Sequence, residues 1–336
     1  LLPTMSAASS STTPEDFESA SSSPQSTPQM ERISYGGWPN CVRLYNEEIE
    51  LIATTDVGPR IIRTGFNGGE NLFKEYESQL GQTGGDEWRI YGGHRLWHAP
   101  EQEGRTYAPD NEAIDSRWTG SELILHQATE PSTGIVKEMA VSIGPRSNQV
   151  VVRHRLMNTN PWEIETAGWA LSVMREGGRA IIPQEPHVPH GEALRPARPL
   201  ILWTYTDMSD PRWTWGERFI QLRQDPEAET PQKAGVCNSL GWAAYEHEDH
   251  VFLKRYPAAE PEAYTDYGAN TEFYTDSSML ELETLGPMRS LDPGEQLEHV
   301  EHWYLFETSV GEEEDAIQAT FDSLVEQTTQ PALPSA

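Results

Sequence analysis

The stretch "YGGHRLWHAPE" (91–101) gathers two histidines, an arginine, a tryptophan and a glutamate behind a Gly-Gly pair. His94 and His98 titrate near neutral pH and can pass on a proton. Arg95 can hold an oxygen-bearing group through two parallel N–H bonds. Trp97 offers a flat apolar face. If the segment is extended, His94, Leu96 and His98 share one face while Arg95 and Trp97 share the other, because side chains alternate along a strand. The plainer alternative is a core Trp and His with Arg95 paired to Glu101. A second cluster lies in "MLELETLGP" (279–287), where Glu281 and Glu283 fall on one face and Leu280 and Leu282 on the other. Two carboxylates so placed suit acid/base work, or simply a solvated outer strand.

Three further segments carry groups of this kind. "QEPHVPHGEALRP" (184–196) sets Glu185, His187 and His190 in a loop stiffened by prolines. "LWTYTDMSDPRWTWGERF" (202–219) is dense in aromatics, with Trp203 and Tyr205 at its start; such density serves either as a binding platform or as packing. "AYTDYGANTEFYTDSS" (263–278) offers Asn270 and Glu272 as hydroxyl-binding groups, or is a plain loop. His94, His98 and Glu101, "EHEDH" (246–250) and "EHVEH" (298–302) all hold metal-ligating types. None completes a familiar ligand signature, so no metal is expected. Neither "GGENLF" nor "EGGRA" has the spacing of a phosphate-cradling loop, and there is no G-x-S-x-G elbow for a nucleophilic serine. Cys41 and Cys237 are read as two buried thiols.

The elements that must position these groups are strands. "VRLYNEEIELIATTDVGPRIIRTGF", "IVKEMAVSIG", "QVVVRHRLMN", "ETAGWALSVM" and "EQLEHVEHWYLFE" alternate apolar and polar residues in short runs broken by Gly, Asn and Pro. Helical spacing emerges only in "EEEDAIQATFDSLVEQ" (312–327), which puts Ile317, Phe321, Leu324 and Val325 on one face behind an acidic first turn. Many strands, no βαβ alternation and no fixed repeat imply an all-β, large antiparallel sandwich with a short C-terminal helix. Residues 1–30 are Ser, Thr and Pro with few large apolar groups, and are expected to be a disordered tail. Residues 31–328 are expected to form one domain and 329–336 a flexible terminus.

The 336 residues carry 53 acidic against 24 basic side chains, a formal charge of −29. Phosphate backbones and anionic membrane surfaces would be repelled, so neither nucleic acid nor membrane is an expected partner. No apolar run is long enough to span a bilayer. An acidic, lysine-poor surface is also what a high-salt interior selects, since screening removes the cost of self-repulsion. The tail lacks a basic start and an apolar centre. A cytoplasmic location is therefore expected, with export after signal cleavage still compatible.

The succession "LETLGP", then "LDPGE", then a strand ending "WYLF" resembles the C-terminal part of aldose 1-epimerases, the mutarotases of the galactose-mutarotase-like superfamily. "TTDVGPRIIRTGFNGGENLF" is similar to that family's opening strands, and "GGHRLW" to its stretch supplying substrate-binding Arg and His. The likeness covers most of residues 31–308, more in pattern than in identity. It implies a β-supersandwich with a sugar site on a concave face and acid/base interconversion of anomers without a cofactor. By this resemblance Glu283 is the base and His94 the acid, with His187 as second choice. Arg60 and Arg95 would hold hydroxyls and Trp97 would stack, with His98, Trp203, Tyr205, Asn270 and Glu281 as further contacts. One departure stands out: the strand that carries the family's acidic histidine corresponds to "ETAGWALSVM" (165–174), which has none. A sugar-binding protein without catalysis, and a lyase or glycoside hydrolase on the same fold, are the rival readings. A monomer or homodimer is expected.

Overall fold

The computed structural model describes residues 28–144, 148–194 and 196–334. Two antiparallel sheets lie face to face. The centre of the first runs, in spatial order, Arg60–Phe66, Gly93–Ala99, Ile164–Met174, Leu280–Leu285, Thr271–Thr275 and Gln232–Val236. The second is centred on His250–Arg255, Gln296–Glu307, Gln149–Asn158 and Ile135–Ile143. The all-β expectation holds, and so does the short C-terminal helix, Glu314–Glu326, the one α-helix among the described residues. Its buried Ile317, Phe321 and Leu324 pack on the outer side of the second sheet, where Phe321 stacks on Trp242 at 4.7 Å.

Alternation explains the layers. Strands of the first sheet send Leu96, Met174, Leu280 and Leu282 inward, where they meet Val150, Val152, Phe252 and Trp303 of the second. This inner layer is the main core. The opposite face of the first sheet carries its own smaller cluster, in which Trp97, Trp169, Leu171 and Leu285 pack together. A central strand is therefore buried on both faces, and Gly93–Ala99 is buried throughout.

The glycines before that strand are fixed by crowding. Gly92 and Gly93 both have positive φ. A Cβ on Gly92 would lie 2.0 Å from the Lys74 carbonyl oxygen, and one on Gly93 2.3 Å from that of Ile61. Only glycine lets the chain turn and pass this close to its neighbours.

Residues 1–27 of the expected tail, and 335–336, lie outside the described residues. Gln29 and Met30 already belong to the first strand, Gln29–Tyr35. At the other end, His302 Nδ1 donates to the Thr329 carbonyl at 2.9 Å and Gln330 Nε2 to that of Tyr256 at 3.1 Å. The chain after the helix is thus hydrogen-bonded to the sheet at Thr329 and Gln330. No helix among the described residues is long and apolar enough to cross a membrane.

Candidate functional site

Strand register builds the site. Leu171 lies opposite Arg95 on one side and Glu283 on the other, and Glu283 lies opposite Glu272. The next row on the same face runs from Val173 through Glu281 and Tyr274 to Lys233. Residues directly opposite share a face, so these rows bring carboxylates and cations from four strands to one surface, with Leu171 and Val173 of a fifth between them. Trp97 opposite Trp169 forms the neighbouring row. All of these except Val173 and Glu272 join Trp88, Glu101, Tyr107 and Tyr205 in lining a cavity of about 250 Å³.

Glu283 is fully buried at the floor of that cavity. Its Oε2 accepts from the Trp169 indole at 2.9 Å and from Lys233 Nζ at 3.0 Å. Its Oε1 has no hydrogen-bond partner. Lys233 also reaches Glu272 at 2.8 Å, so one ammonium sits between two carboxylates. Both Glu272 and Glu283 are pushed above the usual carboxylate range, first by burial and, against the pull of Lys233, by a neighbouring carboxylate, which is Glu283 for Glu272 and Glu281 for Glu283; Glu272 rises to about 8. Burial would lower the Lys233 ammonium, but the two glutamates more than offset it and hold it well above its ordinary value. The faces of Trp169 and Trp203 lie 5.1 and 4.7 Å from the ammonium. Gly235 makes room for Trp203: a Cβ there would touch its ring at 3.4 Å.

On the opposite wall Arg95 Nη2 pairs with Glu281 at 2.8 Å, and its guanidinium lies 4.2 Å from the Trp97 ring centre. Arg95 Nε and Nη1 have no acceptor. Tyr107, which packs edge-on to Trp88 and Trp97, donates to Glu101. The cavity thus combines flat aromatic walls, two cations and a carboxylate with a spare lone pair.

Of the residues singled out in the sequence, Glu283, Glu281, Arg95, Trp97 and Tyr205 line this cavity. Trp203 adjoins it through Lys233. Arg60 stands directly opposite Arg95 but is wholly buried, donating to the Ile90 and Gly92 carbonyls and pairing with Asp110 at 2.8 Å; it holds the turn before the strand and is not a cavity wall. Asn270 is likewise structural, exchanging hydrogen bonds with the backbone of Asn238. His187 lines a different cavity of about 670 Å³, with Trp242, Phe219 and Phe321, beside the C-terminal helix.

His94 and His98 point the other way, into the layer between the sheets. His98 lies 3.4 Å from Glu130, which Lys137 neutralises at 2.5 Å. His94 belongs to a hydrogen-bonded chain whose tautomers follow from its partners. His154 Nδ1 donates to the His299 carbonyl at 3.0 Å, leaving its Nε2 bare to accept from His94 Nε2 at 2.7 Å. His94 Nδ1 then accepts from Ser172 at 2.8 Å. Thr284 donates to Glu301 at 2.5 Å, so His299 Nε2 donates to Thr284 at 2.7 Å. All three rings are neutral. Glu301 also accepts from Lys254 at 2.9 Å and Trp303 at 2.7 Å. His94, His154 and Glu301 are types that bind metal and lie within ligand range of one another. Their lone pairs and protons are already committed, and the Lys254 ammonium would repel a cation.

Sequence reasoning missed Lys233, and saw Glu272 and Trp169 only as a loop candidate and as the residue standing in the histidine's strand. A signal existed. The chain has four lysines, and three of them, Lys137, Lys233 and Lys254, are buried and paired with glutamates. In so acidic a chain a scarce lysine marks the interior rather than the surface.

No protein-family model matches the chain, and no curated protein is similar to it in sequence. Solved structures are similar in fold. The protein Slr1438 of Synechocystis sp. PCC 6803 matches with a TM-score of 0.54 at 9% identity, over 82% of this chain and 99% of that one. A galactose mutarotase-like protein of Lactobacillus casei matches with a TM-score of 0.52 at 8% identity, over 80% of this chain and all of the other. A galactose mutarotase-like protein of Clostridium acetobutylicum gives 0.51 at 9%, over 83% and 99%. At these identities the likeness concerns the backbone, and the chain has the galactose mutarotase-like fold.

Proposed function

We propose that the protein binds a single sugar ring in the Glu283 cavity and interconverts its anomers by proton transfer. The observation that carries this reading is the state of Glu283. Its carboxylate is buried in the cavity lining, raised in pKa and held by Trp169 and Lys233 through one oxygen, while the other oxygen has no hydrogen-bond partner. That is the condition of a positioned general base. Trp97 and Trp169 supply apolar faces for the C–H side of a pyranose, and Arg95 has two spare donors for its hydroxyls. The cavity is smaller than the ~300–1,000 Å³ typical of drug-sized sites, which suits one ring rather than a chain. Hydrolysis is less well supported: Glu185 is bound to Ser239 and lines the other cavity, and Glu281 is tied to Arg95.

Saturation-transfer NMR over a panel of aldoses tests binding, and exchange NMR or polarimetry tests turnover. Binding without any anomer exchange would leave the sugar-binding reading and remove the enzymatic one. The charge of the site adds a prediction. Glu101, Glu272, Glu281 and Glu283 surround only Arg95 and Lys233, so the site remains negative even with one carboxyl protonated. Neutral aldohexoses are therefore expected to bind at least about tenfold more tightly than their 6-phosphates at low salt, with the gap narrowing as salt screens it. Equal affinity for the two would contradict this charge balance.

A further inference from the structure

Anomer interconversion needs an acid as well as a base, and the expected histidine is absent. His94 and His98 face the far side of the sheet, and among the described residues no histidine lines the Glu283 cavity. The proton-bearing side chains that do are Arg95, Tyr107, Tyr205, Tyr274 and Lys233. Arg95 carries a guanidinium, a hydrogen-bond donor that does not act as a proton source, and is paired with Glu281. Tyr107 is committed to Glu101, and Tyr205 is 41% exposed at the mouth. Lys233 alone stands beside the base, at 3.0 Å.

We propose that Lys233 is the proton donor that partners Glu283. The assignment rests on the reading of the cavity as an anomer-interconverting site. The two oxygens that exchange protons in this reaction are both bonded to the anomeric carbon, so an acid and a base that touch each other can serve both. Glu283 Oε1 takes the proton from the anomeric hydroxyl. The C–O bond to the ring oxygen breaks, its electron pair goes to that oxygen, and the oxygen takes a proton from Lys233 Nζ. The anomeric C–O becomes a carbonyl, the open chain rotates about its first C–C bond, and the reverse steps close the ring on the other face. Protonated Glu283 and neutral Lys233 are restored as carboxylate and ammonium, either by the reverse steps or by transfer across their own contact. No other reactant is required. Glu272, 2.8 Å from Lys233, keeps the ammonium from being drawn wholly onto the base. Tight pairing makes Lys233 a reluctant acid in the resting site; it gives up its proton only to an oxygen as basic as the departing alkoxide.

The experiment measures anomer exchange and sugar binding by NMR for the full chain and for Lys233→Met, Lys233→Arg and Lys233→Ala. Lys233→Arg keeps a cation between Glu272 and Glu283, so the fold survives, but a guanidinium does not release a proton. Exchange should fall about 10²–10⁴-fold in Lys233→Met and Lys233→Arg, with affinity changed far less. Added methylammonium should restore part of the rate in Lys233→Ala and none in the wild type. A Lys233→Arg rate within about threefold of wild type overturns the assignment, because a loss confined to packing or charge would be spared by arginine. A wild-type protein that binds aldoses without exchanging their anomers overturns the underlying reading as well, and the two failures are thereby distinct.

Discussion

Glu283→Gln is expected to cut anomer exchange about 10²–10⁴-fold while leaving sugar affinity within about tenfold, and to make the protein no less stable. The first half follows from the free Oε1, whose role a neutral amide cannot fill. The second half follows from the charge count. Two buried carboxylates share one ammonium, and both are raised in pKa by burial and repulsion. The amide oxygen can still accept from Trp169 and Lys233, and Lys233 is left paired one-to-one with Glu272. Removing a charge that the fold tolerates at a cost relieves it, which is the behaviour of a residue kept for function. Thermal melts in parallel with exchange NMR separate the outcomes. A melting temperature lowered by more than about 4 °C, roughly 2–3 kcal/mol for a chain of this size, would make Glu283 a structural residue instead.

The strands, the sandwich and the helix were legible because alternation and helical spacing are set by burial, and burial dominates folding. The site was legible only in part, and Gly93–Ala99 shows why. Alternation correctly separated His94 and His98 from Arg95 and Trp97. It could not say which set met the cavity, since both faces of this central strand are buried and both carry polar groups. The histidines drew attention as acids; they belong to a hydrogen-bonded layer between the sheets. Arg60 and Asn270 were misplaced for a related reason. A buried polar side chain that serves backbone carbonyls or amides has the same sequence signature as one that serves a ligand. Lys233 was overlooked because "QKAGV" reads as an ordinary edge segment, and its two glutamates come from strands 39 and 50 residues away. Only the register brings the three together.

That same hydrogen-bonded layer makes the protein acid-labile. His94, His154 and His299 are lowered from the ordinary histidine value, in each case first by burial; beyond that, Lys254 chiefly depresses His94 and the neighbouring His154 depresses His299, which falls to about 3. The unfolded chain takes up these protons below about pH 6.5, and the folded one refuses them. Stability is therefore full above pH 6.5 and is lost as pH falls toward the folded values. Three protons correspond to about 4 kcal/mol per pH unit once pH is well below 6.5. Glu272 and Glu283 act in the opposite sense. Being raised, they bind protons more readily when folded, which offsets at most two of the three protons between pH 6.5 and 4.5 and makes stability decline as pH rises toward 8. His98 and the less buried His302 are lowered first by burial as well and add up to two more protons, so the net slope below pH 6.5 should lie between about 1.4 and 7 kcal/mol per unit. Below pH 4.5 Glu301 and Glu130 add to the loss. Burial alone would raise both, but Lys254 and Lys137 hold each down to about 2, so unfolding lets them protonate. Against an ordinary stability of about 5–15 kcal/mol, these slopes bring acid unfolding within reach between roughly pH 3 and 5. Denaturant titrations at pH 7, 6 and 5 and constant ionic strength measure the slope directly. A stability that stays flat over that range would mean that the histidine chain is not the neutral, proton-excluding layer its hydrogen bonds describe.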